Sequence, residues 1–295
     1  MEQKRFDQAA AYLPRRWRHH AMLLEAAQKD AAEEIRLRVG RVASVVIGED
    51  EVLLGNGEES VTAEELEEFY SVAAEHSPYA SQTLKKGYLT LRGGFRAGFC
   101  GTAVVKMGEI TALKDVSSAV IRICRERKGI AEDVIAKLLD ERRFPGTLIL
   151  SPPGVGKTTF LRDAVRYLGN RVRVSLVDER GEIAAVCGGI PQMDIGQKTD
   201  VLDGCPKAEG VFMALRVMNP QVVALDEITE RGDIHAVSMA SNCGVSVLAT
   251  IHARDKAELE RKPLYAELLK AGVFSRIVQI ERAGRERCYI VEELV

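Results

Sequence analysis

The sequence has 295 residues, of which 46% are hydrophobic and 28% are charged, with 41 Lys and Arg against 43 Asp and Glu. This composition is that of a globular protein with room for two domains, and it excludes disorder, collagen-like repeats and coiled coil as the dominant character. The formal net charge of -2 gives no overall attraction to nucleic acid or to an anionic membrane.

No apolar run of roughly 18 residues occurs, and residues 1–7 are charged rather than a basic start followed by an apolar signal core. We therefore expect a cytoplasmic protein that does not cross a membrane by itself. The six cysteines are scattered without a C-x-x-C pair. This pattern fits neither a disulfide framework nor a zinc site, and it indicates a reducing compartment.

Residues 1–125 are predicted to form a small α+β domain with an antiparallel sheet. A helical pattern with a basic side covers residues 13–29. It suits either a helix packed on its own domain or one that docks on a membrane surface or a partner. Thr62 and Glu65 form a capping box ahead of a helix that is expected to run to about His76, because a Ser-Pro pair follows. Strands are predicted at 35–39, 42–47, 87–91, 95–105 and 119–124.

Residues 126–145 are predicted to be a linker helix, followed by a second domain at 146–295. In this second domain short apolar strands alternate with helical stretches, which predicts a parallel sheet covered by helices on both faces. Residues 187–206 are rich in Gly, Pro and Asp and are expected to form a long functional loop. The predicted strands lie at 147–150, 172–177, 222–225 and 245–251.

The segment 151–159, SPPGVGKTT, stands between a predicted strand and a predicted helix and has the pattern of a P-loop. Its glycines let backbone N–H groups wrap phosphates, and the start of the helix favours negative charge. Lys157 would reach the β- and γ-phosphates of ATP, and the Thr158 hydroxyl would bind Mg²⁺. Ser151 stands where the pattern has its first glycine. A serine is tolerated at this position if its φ angle is negative. The candidate nucleotide-binding residues are Pro153, Gly154, Val155, Gly156, Lys157, Thr158 and Thr159.

Residues 222–227 form an apolar run that ends in two carboxylates, Asp226 and Glu227. Next to a P-loop, this pair indicates hydrolysis as well as binding: Asp226 would hold Mg²⁺ through water, and Glu227 would polarise the attacking water. The alternative is a buried strand that happens to end in an exposed acidic turn.

Two further predicted strands end in polar residues, Asp178 and Glu179 after one and His252 after the other. The carboxyl ends of parallel strands line one crevice, so these side chains are expected near the P-loop. His252 would sense the γ-phosphate, unless it is a structural or solvated histidine. Asp178 or Glu179 would assist the metal or the water, unless Glu179 only pairs with Arg180 at the surface.

Four motifs of this sequence occur in the same order as those of the secretion and pilus-retraction ATPases, which they resemble. The P-loop at 151–159 resembles their Walker A motif, and residues 178–180 resemble their Asp box. Residues 226–227 resemble their Walker B motif, and residues 250–252 resemble their His box. From about Leu13 onward the sequence is still more similar to one branch, the stage III sporulation protein AA family of endospore-forming bacteria. Phe95 departs from this family at a position where a His is expected, and Gly181 where a Ser is usual. The matching segments are 34–38, 87–90, 93–98, 177–180, 191–194 and 199–210.

The resemblance implies a RecA-like P-loop ATPase domain preceded by a smaller PAS-like domain, assembled into a hexameric ring. It implies Mg²⁺-dependent ATP hydrolysis on the mother-cell side of the membrane, which powers assembly of, or transport through, the channel between mother cell and forespore. The implied partners are further copies of the chain and a membrane-embedded sporulation channel protein at the cytoplasmic face. No nucleic-acid partner is expected.

In secretion ATPases the domain before the motor lends arginines to the nucleotide, which makes Arg96 and Arg122 the candidates in this chain. Arginine suits this role because its planar, permanently charged group matches phosphate oxygens. The alternative places both arginines on the solvated face of an antiparallel sheet. Arg216, ahead of Asp226, is a further candidate.

Two other functions stay open at the level of the sequence. A nucleic-acid translocase would use the same fold, although the near-neutral charge and the lack of a basic stripe interleaved with aromatic residues disfavour it. A nucleotide-gated scaffold that hardly turns over ATP is the other alternative, and Glu227 argues against it.

Overall fold

The computed structural model describes residues 2–75, 88–106, 108–141, 143–284 and 286–294. By their contacts the residues group into two compact units. The first comprises Met1–Arg125 with Ala185–Gln192, and the second comprises Glu126–Ala184 with Met193–Val295. The segment Ala185–Gln192 thus belongs to the first unit, although it lies within the range 146–295 of the predicted motor domain.

This segment, Ala185–Gln192, is a short turn docked on the first unit. Cys187 and Ile190 exchange two backbone hydrogen bonds, at 3.0 and 3.1 Å. The side-chain oxygen of Gln192 accepts a hydrogen bond from the N–H of Gly93 at 2.7 Å. The chain therefore passes between the two units three times rather than once.

The first unit contains an antiparallel sheet in the order β3-β2-β1-β6-β5-β4, as the alternating pattern predicted. Its described helices are α1 (Glu2–Ala10), α2 (Arg15–Met22), α3 (Ala26–Ala31) and α4 (Ala63–Glu75). Its described strands are β1 (Glu34–Arg38), β2 (Ser44–Ile47), β3 (Asp50–Leu53), β4 (Tyr88–Leu91), β5 (Phe95–Lys106) and β6 (Glu109–Arg122).

The segment 13–29 forms two helices rather than one. Glu25 adopts an extended backbone between them and builds a capping box with Gln28 at the start of α3. Trp17 in α2 is fully buried, and its indole N–H donates to the Glu65 carboxylate at 3.0 Å. Of the two alternatives for this segment, packing on its own domain is therefore the one that the structure shows.

The predicted capping box of α4 is confirmed. Thr62 Oγ1 accepts a hydrogen bond from the Glu65 N–H at 3.2 Å, and the Glu65 carboxylate accepts one from the Thr62 N–H at 3.0 Å. Helix α4 is described to Glu75. Its predicted end at His76, with the Ser-Pro pair after it, and the predicted strand start at Gly87 lie outside the described residues.

Alternation along the strands gives the antiparallel sheet one buried face and one polar face. Ile35 and Phe95 point into the core, whereas Arg36 and Arg96 lie on the polar face and are partly exposed. Strand β6 begins at Glu109, well before the predicted start at residue 119, because it forms a long hairpin with β5.

The second unit contains a seven-stranded sheet in the order β13-β12-β7-β11-β10-β8-β9, parallel except for the pair β12–β13. The predicted parallel sheet is thus confirmed. The strands are β7 (Thr147–Ser151), β8 (Val174–Asp178), β9 (Thr199–Asp203), β10 (Val222–Glu227), β11 (Ser246–His252), β12 (Arg276–Ala283) and β13 (Glu286–Glu293). The described helices are α5 (Glu132–Leu138), α6 (Lys157–Gly169), α7 (Lys207–Val217), α8 (Arg231–Asn242), α9 (Lys256–Arg261) and α10 (Pro263–Lys270).

Both edges of this parallel sheet differ from the expectation. Residues 187–206 were expected to be one loop, but they contain strand β9, so that expectation was wrong. Among the described strands β9 pairs with β8 at the sheet edge, and it lacks the mostly apolar sequence of the central strands. At the opposite edge, the hairpin β12–β13 was not predicted.

Within the described part of 126–145, the expected helix is confined to α5. Gly129 has a φ of 89°, which interrupts a helix. The Asp163 carboxylate accepts hydrogen bonds from the N–H groups of Gly129 and Ala131, at 3.1 and 2.8 Å, and fixes this irregular stretch.

Among the helices that the structure describes, none combines the length and the apolar character that a membrane crossing requires.

Candidate functional site

The P-loop joins the buried strand β7 to helix α6, which begins at Lys157. Gly154 and Gly156 have φ angles of 77° and 117°, a left-handed backbone that favours glycine. A Cβ at Gly154 would have no atom within 4 Å, so the loop backbone is accessible there. Ser151 is buried, donates its hydroxyl to the Pro152 carbonyl, and is not among the described residues with positive φ. The serine at this position is therefore free of backbone strain.

Lys157, His252 and Glu227 form a continuous series of contacts at the carboxyl ends of adjacent strands. Lys157 Nζ donates to His252 Nδ1 at 2.6 Å, and His252 Nε2 lies 3.2 Å from Glu227 Oε2. Both contacts are satisfied when the imidazole carries its proton on Nε2. Burial lowers the pKa of Lys157, while the charges of Glu227 and Asp226 oppose that shift. The structure thus brings together candidates from three separate sequence motifs.

Asp226 is only 8% exposed at the end of β10. Burial, together with the charges of Glu182 and Asp178, raises the pKa of Asp226 to about 6. The Thr250 hydroxyl donates to Asp226 Oδ1 at 3.4 Å. Asp226 and Thr158, at the start of α6, offer carboxylate and hydroxyl oxygens, the donors that Mg²⁺ prefers. The donor set therefore fits this ion.

A metal site can also be built from protein side chains alone, without a nucleotide. Within the described ranges, no three His, Cys, Asp or Glu side chains group in a way that would hold a metal ion. In nucleotide sites Mg²⁺ usually takes one or two protein oxygens and obtains the rest from phosphates and water.

Asp178 is fully buried at the end of β8. Its carboxylate accepts hydrogen bonds from the N–H groups of Glu182, Ile183 and Ala184, at 2.9, 2.9 and 2.8 Å. Burial raises the pKa of Asp178, and these three bonds oppose the shift. Both oxygens of Asp178 are thus engaged with the loop that follows it.

Glu179 pairs with a residue that was not among its expected partners. Its carboxylate accepts from Lys207 Nζ at 2.9 Å, whereas the surface pair considered for it was with Arg180. Lys207 lies in the segment 199–210 that carries the family resemblance, which was the available signal for its importance.

Arg287 on the terminal hairpin also contacts the P-loop and was missed. Its Nε donates to the Val155 carbonyl at 2.6 Å, and the same atom would lie 3.0 Å from a Cβ at Gly156. The two bonded residues are 132 positions apart in the sequence. No local pattern around Arg287 could have signalled this contact.

Arg96 and Arg122 lie directly opposite each other on β5 and β6, on the polar face of the antiparallel sheet in the first unit. The Arg96 guanidinium stacks over the Tyr88 ring at 4.1 Å. The Arg122 side chain is 64% exposed, and its Nε is 3.4 Å from a Glu34 oxygen. Both arginines therefore have local partners within the first unit.

The two departures from the family pattern have local explanations. Gly181 has a φ of 63°, a backbone conformation that glycine adopts at least cost. Phe95 is fully buried, with the Arg5 guanidinium over its ring at 4.7 Å. The weaker arginine candidate, Arg216, is exposed in the last turn of α7.

Comparison with known proteins gives one family and a set of structural neighbours. The model of the family "Sporulation stage III, protein AA" matches residues 3–289. Stage III sporulation protein AA of Bacillus subtilis (strain 168) is 38% identical over 258 residues, which cover 85% of this chain and 83% of the relative. The pilus retraction motor PilT with bound ADP has a TM-score of 0.62 at 18% identity, over 92% of this chain and 83% of that one. The ATPase DotB of Yersinia pseudotuberculosis has a TM-score of 0.60 at 14% identity, over 96% and 80% of the two chains.

The parallel sheet, the loop between β7 and α6 and the likeness to these structures define the class: a mixed α/β protein with the fold of the RecA-like secretion ATPases. At these identities the likeness establishes the fold alone. The sequence match is more specific, and by it the chain belongs to the stage III sporulation protein AA family.

Proposed function

We propose that this chain is a Mg²⁺-dependent ATP hydrolase that acts as a secretion-ATPase-like motor. The observation that carries the proposal is the series of contacts from Lys157 through His252 to Glu227, at adjacent strand ends beside the P-loop. The fold of the secretion ATPases and the sporulation family support it.

In this proposal each side chain has one task. The backbone from Pro153 to Thr159 wraps the phosphates, and Lys157 offsets their charge. Glu227 accepts a proton from the attacking water, and His252 links Glu227 to Lys157. Mg²⁺, held by Thr158 and through water by Asp226, would offset the charge of the phosphates and of the buried carboxylates.

We further propose a PAS-like domain at 1–125, to which the segment 185–192 adds, a linker at 126–145 and a motor domain formed by the rest of 146–295, assembled into a hexameric ring. In the ring, Arg96 or Arg122 would complete the site of a neighbouring copy. The position of both arginines on a polar sheet face supports this role, because an exposed arginine exchanges partners at little cost.

The family and the fold support a proposed biological setting. The motor would act at the cytoplasmic face of the mother-cell membrane and bind a membrane-embedded sporulation channel protein there. ATP hydrolysis would then power assembly of the channel to the forespore or transport through it. Glu179, at the end of β8, would support the water or the metal in this reaction.

The test is ATP turnover by the full chain at saturating ATP, with and without Mg²⁺, combined with the light-scattering mass under both conditions. Turnover that requires Mg²⁺, together with a larger mass when ATP is bound, supports the proposal. Tight ATP binding without turnover by the assembled protein would instead establish a nucleotide-gated scaffold. Stimulation by DNA with a steep salt dependence would establish a nucleic-acid translocase.

A further inference from the structure

Lys207 is a buried lysine outside the motifs to which the proposed reaction is assigned. It is the first residue of α7 and is only 9% exposed. Its Nζ lies 2.9 Å from Glu179 Oε2, 3.4 Å from Thr229 Oγ1 and 3.7 Å from Asp233 Oδ2. An ammonium group so deeply buried requires negative partners, and here it has two carboxylates.

These partners belong to two different strand ends. Glu179 directly follows β8, whereas Thr229 lies in the turn after β10 and Asp233 in the first turn of α8. Asp233 is 1% exposed, and its Oδ2 accepts hydrogen bonds from the N–H of Thr229 at 2.9 Å and of Glu230 at 3.2 Å. Lys207 and Asp233 together thus tie the turn that follows Glu227 to Glu179.

The geometry also separates Lys207 from Lys157. Lys157 contacts His252 beside the P-loop, while Lys207 faces carboxylates and a hydroxyl. Burial alone would lower the pKa of Lys207, but the hydrogen bond to Glu179 and the charges of Asp233 and Glu179 outweigh it and raise that pKa. Lys207 therefore stays charged and remains an ion-pair donor.

We propose that Lys207 is a positioning residue: it holds the Glu179 carboxylate in place relative to the turn that follows Glu227. This role rests on the proposed ATP hydrolysis for its effect on rate. Lys207 acts through Glu179 and does not itself contact the nucleotide. It follows that removing Lys207 lowers kcat rather than affinity, and that its effect disappears when Glu179 has already been neutralised.

The first experiment is a double-mutant cycle of Lys207→Met and Glu179→Gln, read in steady-state ATP turnover by the full chain. Lys207→Met should lower kcat about tenfold and leave KM within about twofold, and the double variant should match Glu179→Gln alone. Lys207→Arg, which keeps the charge, should restore most of the loss. Lys198→Met removes an exposed lysine and is the matched control.

The second experiment reads the same cycle in urea unfolding without nucleotide, so it does not depend on turnover. Lys207→Met should lower the unfolding midpoint, since it leaves the Asp233 and Glu179 carboxylates without their cation. Glu179→Gln should recover part of that loss in the double variant. If Lys207→Met does not fold, Lys207→Gln and Thr229→Val take its place in both cycles.

The possible outcomes distinguish a failure of the proposed role of Lys207 from a failure of the proposed ATP hydrolysis. If the wild-type chain turns over ATP and the two substitutions multiply as independent effects on kcat, Lys207 does not act through Glu179 and the proposal is overturned. A rise in KM without a change in kcat would make Lys207 a nucleotide-binding residue and overturn it as well. If the wild type binds ATP without turnover, the proposed hydrolysis fails, and the unfolding cycle still decides whether Lys207 holds Glu179.

Discussion

The two sheets of this protein hold their charged side chains in opposite ways. At the carboxyl ends of the parallel strands, Lys157 and Lys207 are buried and face histidine or carboxylate partners at 2.6 and 2.9 Å. On the polar face of the antiparallel sheet, Arg122 is mostly exposed and its Nε is 3.4 Å from Glu34. Breaking a buried pair leaves a desolvated charge, whereas breaking an exposed pair costs little. The parallel sheet therefore fixes a geometry, and the antiparallel sheet presents groups that can change partners.

The largest effect should come from substituting Lys157, one of the buried lysines at the strand ends. Lys157→Ala removes the positive charge from a P-loop that otherwise offers neutral backbone donors, so ATP binding should be nearly abolished. Calorimetric titration with a non-hydrolysable ATP analogue measures this. Lys137→Ala, an exposed lysine in α5, is the control. Unchanged affinity in Lys157→Ala would show that another loop binds the phosphates.

The next largest effect should come from the arginines on the polar face of the antiparallel sheet. Arg96→Ala or Arg122→Ala should lower turnover on the order of a thousandfold, with much less loss of ATP affinity, if that arginine stabilises charge in a neighbouring copy. Arg36→Ala, on the same sheet face, is the matched control.

Mixing such an arginine variant with Glu227→Gln distinguishes a neighbour's site from the same copy's site. Each variant alone is almost inactive, but a mixed ring contains interfaces with one intact glutamate and one intact arginine. Activity should therefore return on mixing. No recovery at any ratio, with mixed oligomers verified by native mass spectrometry, would mean that the arginine does not serve a neighbouring copy.

Glu227→Gln tests whether the Glu227 carboxylate accepts a proton from the attacking water. The amide keeps the shape of the side chain but accepts no proton, so turnover should fall at least about a hundredfold while ATP binding persists. Glu260→Gln, an exposed glutamate in α9, should leave both unchanged. Turnover within about threefold of wild type would place the water-activating carboxylate elsewhere, with Glu179 the next residue to change.

The smallest effect concerns the contact between Arg287 and the P-loop. Arg287→Gln removes the bond to the Val155 carbonyl and should weaken ATP binding about tenfold, the size of one charge-assisted hydrogen bond. Fluorescent-nucleotide titration measures this change. Arg282→Gln on the same hairpin is the control, because Arg282 donates a hydrogen bond to the Gly284 carbonyl within its own turn. Equal affinities for both variants would show that the hairpin does not shape the loop.

Much of the fold could be predicted because the central strands carry local signals. Strands β7, β10 and β11 are mostly apolar and buried along most of their length, and the loop after β7 has a defined spacing of glycines before Lys157. Edge strands lack such a signal. Strand β9 has partly buried and exposed positions and no fully buried one, since it lies at the edge of the described sheet, next to β8.

The candidate site could be predicted only in part, because some of its contacts have no local signal in the sequence. Residues at strand ends converge by the geometry of a parallel sheet, which is why His252 and Glu227 could be placed together. The bond between Lys207 and Glu179 joins residues 28 positions apart, and it depends on how α7 packs. Such contacts are made by tertiary packing, and no periodicity in the sequence encodes them.

The segment Ala185–Gln192 has a consequence for how the chain is made. Its residues belong to the compact unit formed by the first 125 residues, and Gln192 bonds Gly93 within that unit. During synthesis on the ribosome, the nascent chain must emerge as far as Gln192 before the first unit has all its residues. By then strands β7 and β8 and the P-loop have already been released. The first unit therefore cannot be complete until part of the second has been synthesised, and a chain truncated at residue 125 lacks a segment of its own first unit.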